Sequence, residues 1–208
     1  MSVLSQPNDL ITRREAILRV SALLGGVALV GQSALLSGCA SGNVRPVPLA
    51  QLFTASDLAL VEEIAETILP ETSTPGAKAA GVGPFIALMV AEVYDAREQE
   101  IFRDGLLKVD RESQRMHGTT FMGASAAQRV AVLQELDREQ LQHMRRQERR
   151  RAVNEPAHYF RMMKELALLG YFTSEIGYTQ AMRYVETPGR FEPCVPYAPG
   201  EQAWAPHA

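Results

Sequence analysis

Apolar residues recur at helical spacing through most of this chain, and no other feature constrains its fold as strongly. After a capping box at Thr54 and Asp57, apolar residues fall three and four positions apart as far as Leu69. No segment shows the sustained apolar alternation that is typical of a strand. The pattern predicts an all-α fold, a single bundle of five or six helices.

Prolines, glycines and short polar side chains mark where the predicted helices begin and end. Pro70 ends the first helix, and Pro84 is expected at the first position of a buried helix. A second capping box, Ser125 with Gln128, opens a long helix that runs into a basic segment. The remaining predictions are an amphipathic helix from Asp95 to about His117, one helix from Pro156 to Gly170 and a short last helix from Ser174 to Tyr184.

The final segment, residues 185–208, has no helical period and contains five prolines. We predict an extended strap, because proline blocks helix formation and pre-orders an extended chain. The aromatic residues Phe191, Tyr197 and Trp204 are spaced along it, so that each can anchor the strap in a groove. Two interpretations stay open: the strap binds a partner protein, or it folds back over its own bundle.

The N-terminus has the pattern of an export signal. Arg13 and Arg14 stand directly before a moderately apolar run, residues 16–36, which glycines and polar residues interrupt. This arrangement predicts a twin-arginine signal, which is recognised by a translocase for folded proteins. The alternative is an N-terminal membrane anchor that is never removed.

The run ends in Leu36-Ser37-Gly38-Cys39, which resembles a bacterial lipobox. We expect Cys39 to be lipidated and to tether the mature chain to a membrane, whereas cleavage after Ala40 would release a soluble chain. Either outcome predicts a periplasmic protein. The predicted organisation is a signal over residues 1–39, a linker over 40–53, the bundle over 54–184 and the strap over 185–208.

Charge and cysteine count exclude several classes of function. The net charge is −3 with a pI near 5.9 and both signs are well mixed, so no nucleic-acid partner is expected. The arginines between Arg145 and Arg151 have Glu148 among them, and we interpret them as a solvated face or as a contact at the rim of an interface. Two cysteines, Cys39 and Cys194, are too few for a disulfide framework or an all-cysteine metal site.

A search for catalytic motifs finds no candidate for an active site. The sequence has no glycine-rich phosphate loop and no Gly-x-Ser-x-Gly nucleophile elbow. Glu155 and His158 have the spacing of one di-iron motif, but that centre needs two motifs and further carboxylates, so we interpret His158 as a polar residue at a helix start. Glu62, Glu63 and Glu66 lie opposite the apolar stripe, and we interpret them as solvated. We therefore predict no catalytic, cofactor-binding or metal-binding residue.

Cys194 lies in the strap, between Pro193 and Pro196. Once Cys39 is lipidated or removed, Cys194 is the sole cysteine of a chain that works in an oxidising compartment. A single exported cysteine favours a disulfide with another chain. The alternative is a buried thiol that behaves as a small apolar side chain.

Four segments together point to a known family: LVEEIAETILP at 60–70, TPGAKAAGVG at 74–83, KELALLGYFTSEIG at 164–177 and PGRFEPCVP at 188–196. In this order behind a twin-arginine signal, they resemble the gluconate 2-dehydrogenase subunit 3 family. The resemblance extends from about Leu58 to Trp204. Members of that family are small, non-catalytic subunits of membrane-associated sugar and polyol dehydrogenases.

The resemblance implies a set of partners and a role. The large subunit of such a complex is a flavoprotein of the glucose-methanol-choline class that holds FAD, and the third subunit is commonly a multihaem cytochrome c with haem c. A flavoprotein that folds around FAD in the cytoplasm, and has no signal of its own, can cross the membrane bound to a partner that has one. The resemblance thus implies an export escort and structural chaperone without a cofactor of its own.

We accordingly assign roles to seven residues. Arg13 and Arg14 are expected to bind the translocase, and Cys39 is expected to be lipidated. The partner-binding residues are expected to be Cys194, in a disulfide to the large subunit, together with Phe191, Tyr197 and Trp204.

The main alternative is a free-standing envelope lipoprotein, a helical bundle that binds a small apolar ligand or stabilises the envelope. It predicts a monomer without flavin and a tail packed on its own bundle. An enzyme is a third alternative, but it requires polar residues that face the core, and the sequence shows no such cluster.

Overall fold

A computed structural model describes residues 49–150, 155–187, 189–190 and 194–205 of the chain. Within these residues the chain forms six α-helices and one short π-helix and contains no β-strand. The helices are α1 (Leu49–Leu52), α2 (Ala55–Ile68), α3 (Val82–Glu92), α4 (Ala96–His117), α5 (Ala126–Arg150) and α6 (Tyr159–Phe172), and the π-helix spans Gly177–Ala181. The all-α prediction is confirmed.

The helix starts follow the polar caps that the sequence contains. At α2 the Thr54 hydroxyl accepts from the Asp57 N–H at 3.2 Å, and the Asp57 carboxylate accepts from the Thr54 N–H at 2.8 Å. At α5 the Gln128 side chain accepts from the Ser125 N–H at 2.8 Å in the same arrangement. Each box satisfies backbone donors that a helix leaves free in its first turn, so these two starts are fixed locally.

The core lies where α2, α3 and α6 meet, with α4 and α5 packed around them. Helix α3 buries Val82, Ile86 and Val90 together with its small residues, so it is enclosed on most of its surface, as its apolar composition predicts. Helix α4 instead buries Phe102 and Val109 on one side only. This contrast is the usual difference between a central and a peripheral helix.

Helix α3 begins two residues earlier than predicted. Its N-cap, Gly81, has a φ of 67°, in the left-handed region that glycine adopts without strain, and Val82 is the first helical residue. Pro84 therefore stands third rather than first in the helix. Proline is still tolerated there, because the N–H groups of the first turn have no intrahelical acceptor.

Both predicted ends of α6 are wrong. The helix begins at Tyr159 rather than Pro156, because His158 is extended and its ring accepts from the Phe160 N–H at 3.3 Å. It then passes Gly170 and continues to Phe172. Gly170 is there for close packing: a Cβ at this position would lie 2.6 Å from the ring of Phe85 on α3. The glycine thus allows two helices to approach and does not end one.

The core begins before the predicted bundle. Leu52 and Phe53 are 3% and 6% exposed, and the Phe53 ring meets the Phe102 ring edge-on with centroids 6.1 Å apart. The segment directly before α2 is therefore packed into the interior. Among the described residues, no helix is long and apolar enough to cross a membrane.

Candidate partner-binding surface

The far end of the C-terminal segment packs against the bundle at Arg183. Arg183 and Trp204 form an isolated parallel bridge. The Arg183 N–H donates to the Ala203 carbonyl at 2.8 Å, and the Ala205 N–H donates to the Arg183 carbonyl at 2.9 Å. Ala205 is 4% exposed, so this end of the chain is docked on its own bundle.

Side chains reinforce the backbone bridge. The Arg183 guanidinium lies over the Trp204 ring, 4.6 Å from its centroid, and one of its nitrogens is 3.5 Å from a Glu201 carboxylate oxygen. The Gln202 amide donates to the Gln180 carbonyl at 2.9 Å. Cation–π contacts of this kind contribute about 0.5–2 kcal/mol, so the whole set can hold the chain end in place.

Because Arg183 is bonded to residues 203–205, the chain between them is closed into a loop; we call its described residues, 184–187, 189–190 and 194–202, the tail loop. Its described residues near the middle are solvent-exposed: Cys194 has a free, exposed thiol, Val195 is 48% exposed and Tyr197 is 64% exposed. A loop with fixed ends loses less conformational entropy on binding than a free tail does. The tail loop therefore presents apolar side chains and a thiol on a partly pre-ordered support.

The structure separates the predicted site residues. Cys194 and Tyr197 are exposed on the tail loop, so the alternative of a buried Cys194 thiol is wrong. Trp204 is 45% exposed, with one face against Arg183. The other predicted site residues, which lie outside the described residues, are Arg13, Arg14, Cys39 and Phe191.

Sequence reasoning missed two apolar residues where the tail loop leaves the bundle. Tyr184 and Val185 are 43% and 40% exposed, and the Tyr184 ring packs on Tyr178 with centroids 5.3 Å apart. They come three and four residues after the end of the π-helix at Ala181, whereas the sequence predicts Tyr184 as the end of the last helix. The exposed apolar set of the tail loop and its ends is Tyr184, Val185, Val195, Tyr197 and Trp204.

A carboxylate network on α2 corrects the interpretation of Glu63 as solvated. The Glu63 carboxylate pairs with both Lys78 and Arg129, and its side chain is only 14% exposed. Arg129 also donates to the Phe121 carbonyl at 3.0 Å and to the Met122 carbonyl at 2.8 Å. Glu63 thus links α2 to the loop before α3 and to the start of α5.

Glu66, one helical turn further on, is likewise not merely solvated. One carboxylate oxygen accepts from the Lys78 N–H at 2.7 Å and the other from the Glu71 N–H at 3.0 Å. Tyr171 on α6 holds the same loop by donating to the Pro75 carbonyl at 2.7 Å. These carboxylates bind backbone donors and fixed cations, so their role here is to shape the loop between α2 and α3.

His158 lies at the junction of α4, α5 and α6. Its Nε2 is 3.4 Å from a Glu139 oxygen, and its ring is 5.6 Å from the His143 ring between centroids. Burial lowers the pKa of His158, and this effect outweighs the Glu139 carboxylate, which acts in the opposite direction. The neutral ring is the form that caps α6, since Nδ1 accepts from the Phe160 N–H. The interpretation of His158 as a residue at a helix start is confirmed.

Among the described residues, no group of three histidine, cysteine, aspartate or glutamate side chains converges to hold a metal ion. Glu155 is exposed in the segment before α6, and His158 is engaged as its cap. The clearest functional feature on this part of the chain is therefore the tail loop with its exposed apolar set.

Comparison with known families identifies the bundle. The family model described as gluconate 2-dehydrogenase subunit 3 matches residues 55–189. The chain belongs to this family. No curated protein and no solved structure matches the chain.

Membership of the gluconate 2-dehydrogenase subunit 3 family confirms the resemblance seen in the four segments. The match covers α2 to α6, the π-helix and the start of the tail loop. Cys194, Tyr197 and Trp204, the partner of Arg183, lie beyond this region. The family is that of a subunit of a dehydrogenase complex, so this chain is assigned to such a complex.

Proposed function

We propose that this chain is the non-catalytic small subunit of a periplasmic, FAD-dependent dehydrogenase of the glucose-methanol-choline class. The catalytic flavoprotein oxidises a sugar, sugar acid or polyol, and electrons pass to a cytochrome c subunit rather than through this chain. This chain escorts the flavoprotein through the twin-arginine translocase, which reads Arg13 and Arg14, and supports its fold. Lipidated Cys39 holds the complex at the membrane.

The observation that carries this proposal is the tail loop on a bundle of this family. Within the exposed apolar set Trp204 contacts Arg183 and Tyr184 contacts Tyr178, whereas Val195 and Tyr197 are 48% and 64% exposed. Aromatic residues with large exposed faces are enriched at protein interfaces. A flavoprotein surface that receives Val195 and Tyr197 would bury this apolar area.

Cys194 is positioned to bond covalently to the same partner. Its thiol is exposed on the tail loop and is free in this chain. In the periplasm, Cys194 and a cysteine of the large subunit would lose two protons and two electrons in total to the thiol oxidants of that compartment, and one S–S bond would form. Such a bond would join the two subunits after the apolar contacts have aligned them.

The test is to purify the mature chain gently from its envelope fraction through a tag after Ala208, without reductant. We expect a flavin absorption spectrum, a large co-purifying chain, and a non-reducing gel band that separates into two when reductant is added. A colourless monomer would overturn the proposal and favour the free-standing lipoprotein.

Three variants separate the parts of the proposal. The double variant Val195→Ala and Tyr197→Ala should reduce co-purified flavin severalfold, whereas Leu107→Ala, which removes an equally exposed apolar side chain from α4, should not. Cys194→Ser should abolish the covalent band while much of the flavin still co-purifies. Replacing Arg13 and Arg14 by Lys should leave both subunits in the cytoplasm, and normal export of the large subunit would contradict the escort role.

A further inference from the structure

The last ten residues of α5, 141–150, extend beyond the helix's buried residues, the last of which is Gln140. This segment contains four exposed arginines, Arg145, Arg146, Arg149 and Arg150, and one acidic residue, Glu148. We call the four arginines the basic face. None of the four forms an ion pair with a residue in the described part of the chain.

The helical period places the four arginines of the basic face on one side of α5. Arg145 and Arg149 are four residues apart, as are Arg146 and Arg150, so they form two adjacent rows. The opposite side of the same turns faces the start of α6, where the Gln147 amide donates to the Pro156 carbonyl at 3.0 Å. The arginines therefore point away from the bundle.

Stability of the isolated chain does not account for this arrangement. Cations favour a helix C-terminus through the helix dipole, but the effect is confined to the last turn, and Arg145 and Arg146 lie further in. Like charges four residues apart destabilise a helix by a few tenths of a kcal/mol. An anionic surface would remove this repulsion, because guanidinium groups pair with phosphate in a bidentate geometry.

The basic face lies at the same end of the bundle as the start of α2, where the chain enters the bundle. Phe53, just before α2, packs on Phe102 of α4. One turn along α4, Gly105 lies against Tyr159, which adjoins the His158 ring and, through it, His143 of α5. Residues 144–150 continue beyond that level.

The distance to the predicted lipid anchor is short. Cys39 precedes the start of α1 at Leu49 by 10 residues, a length that spans about 35 Å when fully extended and about 17 Å on average as a flexible chain. An anchored chain would thus hold this end of the bundle close to the bilayer. One exposed apolar residue, Leu141, lies one turn before Arg145 in the same row of α5 and is 42% exposed.

We propose that the basic face docks on the anionic phospholipid headgroups of the membrane, with Leu141 at the level of the headgroups. The proposal rests on the lipid anchor of the proposed function, since the anchor supplies proximity. Docking would fix the orientation of the bundle relative to the bilayer, so that the small subunit sets how the complex faces its membrane electron acceptor.

The test measures membrane binding without the anchor. The mature chain, residues 39–208 with Cys39→Ser, contains the whole compact unit of residues 45–208. It is sedimented with vesicles of phosphatidylcholine alone and with vesicles that contain one-third phosphatidylglycerol. We expect binding to the anionic vesicles only, and loss of binding at roughly 0.5 M NaCl because salt screens the charges.

A matched pair of variants locates the binding surface. Arg145→Gln with Arg149→Gln should lower the vesicle partition coefficient about thirtyfold, since each basic residue near an anionic surface contributes about 1 kcal/mol. Arg111→Gln with Arg115→Gln removes the same charge at the same spacing from exposed positions on α4, and should change it less than twofold. Circular dichroism of each variant verifies that the helices are retained.

Three results would overturn the proposal: equal binding to both vesicle types, no binding to either, or equal losses in the two double variants. A loss of flavoprotein co-purification in the Arg145 and Arg149 variant, without vesicle binding by the wild type, would assign the basic face to an acidic protein surface instead. None of these results affects the subunit assignment, which depends on co-purification through the tail loop.

Discussion

The guanidinium of Arg183 covers the indole ring of Trp204 at 4.6 Å, and the backbones of the two residues pair as a parallel bridge. One contact thus determines that the chain between them forms a loop rather than a free tail. The conformation of the tail loop, and the placement of Cys194 and Tyr197 on it, depend on this pair.

Replacing Trp204 by Ala should open the tail loop without unfolding the bundle. The cation–π contact contributes about 1 kcal/mol, so the open fraction should rise about fivefold. Limited proteolysis within residues 185–200 should accelerate by that factor, while the midpoint of thermal unfolding stays nearly unchanged. The control is Tyr197→Ala, which removes an aromatic ring that belongs to the tail loop but not to the contact that closes it. Equal acceleration in both variants would contradict the role of the Arg183 contact.

Gly105→Ala should destabilise the bundle although alanine is the better helix former. A Cβ at Gly105 would lie 2.7 Å from Tyr159, whose side chain is buried and cannot move aside. Overpacking of this kind costs about 1–3 kcal/mol, against a propensity gain of about 1 kcal/mol. Chemical denaturation should show a net loss, and a smaller loss for Gly170→Ala, because Phe85 is only partly buried. A stabilised Gly105→Ala variant would show that Tyr159 can move.

Glu63→Gln should destabilise the fold by about 2 kcal/mol, because it leaves the largely buried Arg129 guanidinium without its carboxylate. For a domain of this size the unfolding midpoint should fall by about 5 °C. The control is Glu112→Gln, which breaks the pair with Arg115, whose guanidinium stays in solvent, and should shift the midpoint by only about 1 °C. Similar shifts in the two variants would mean that the Glu63 network is solvated, as the sequence predicted.

The lowered pKa of His158 predicts a pH dependence of stability. The unfolded chain takes up a proton at the ordinary histidine pKa of about 6.5, whereas the folded chain does so only at lower pH. The free energy of unfolding should therefore fall as the pH drops from about 6.5 towards the folded-state value. His158→Asn keeps a side chain that can cap α6 and should remove this component of the slope. The control variant His117→Asn should retain this component. An unchanged pH dependence of the free energy of unfolding in His158→Asn would refute its assignment to His158.

Local signals in the sequence determined most of the helices. The Thr54 and Ser125 boxes, and the apolar period that follows each, act over four to eight residues, so they could be interpreted without knowledge of the fold. The ends of α6 could not be predicted in this way. Locally, Pro156 is typical of a helix start and Gly170 of a helix end, but tertiary contacts override both preferences. Gly170 is in the helix to admit Phe85, a residue 85 positions earlier in the chain.

The same division holds for function. The motifs and their order along the chain were sufficient to recognise the gluconate 2-dehydrogenase subunit 3 family, because a family is defined by its sequence motifs and their order. Two features were decided only by the tertiary structure: the closure of the tail loop by Arg183 and Trp204, and the burial of Glu63 between Lys78 and Arg129. Each joins residues 15 to 66 positions apart. Such contacts are determined by how the helices pack, and no local pattern along the chain encodes them.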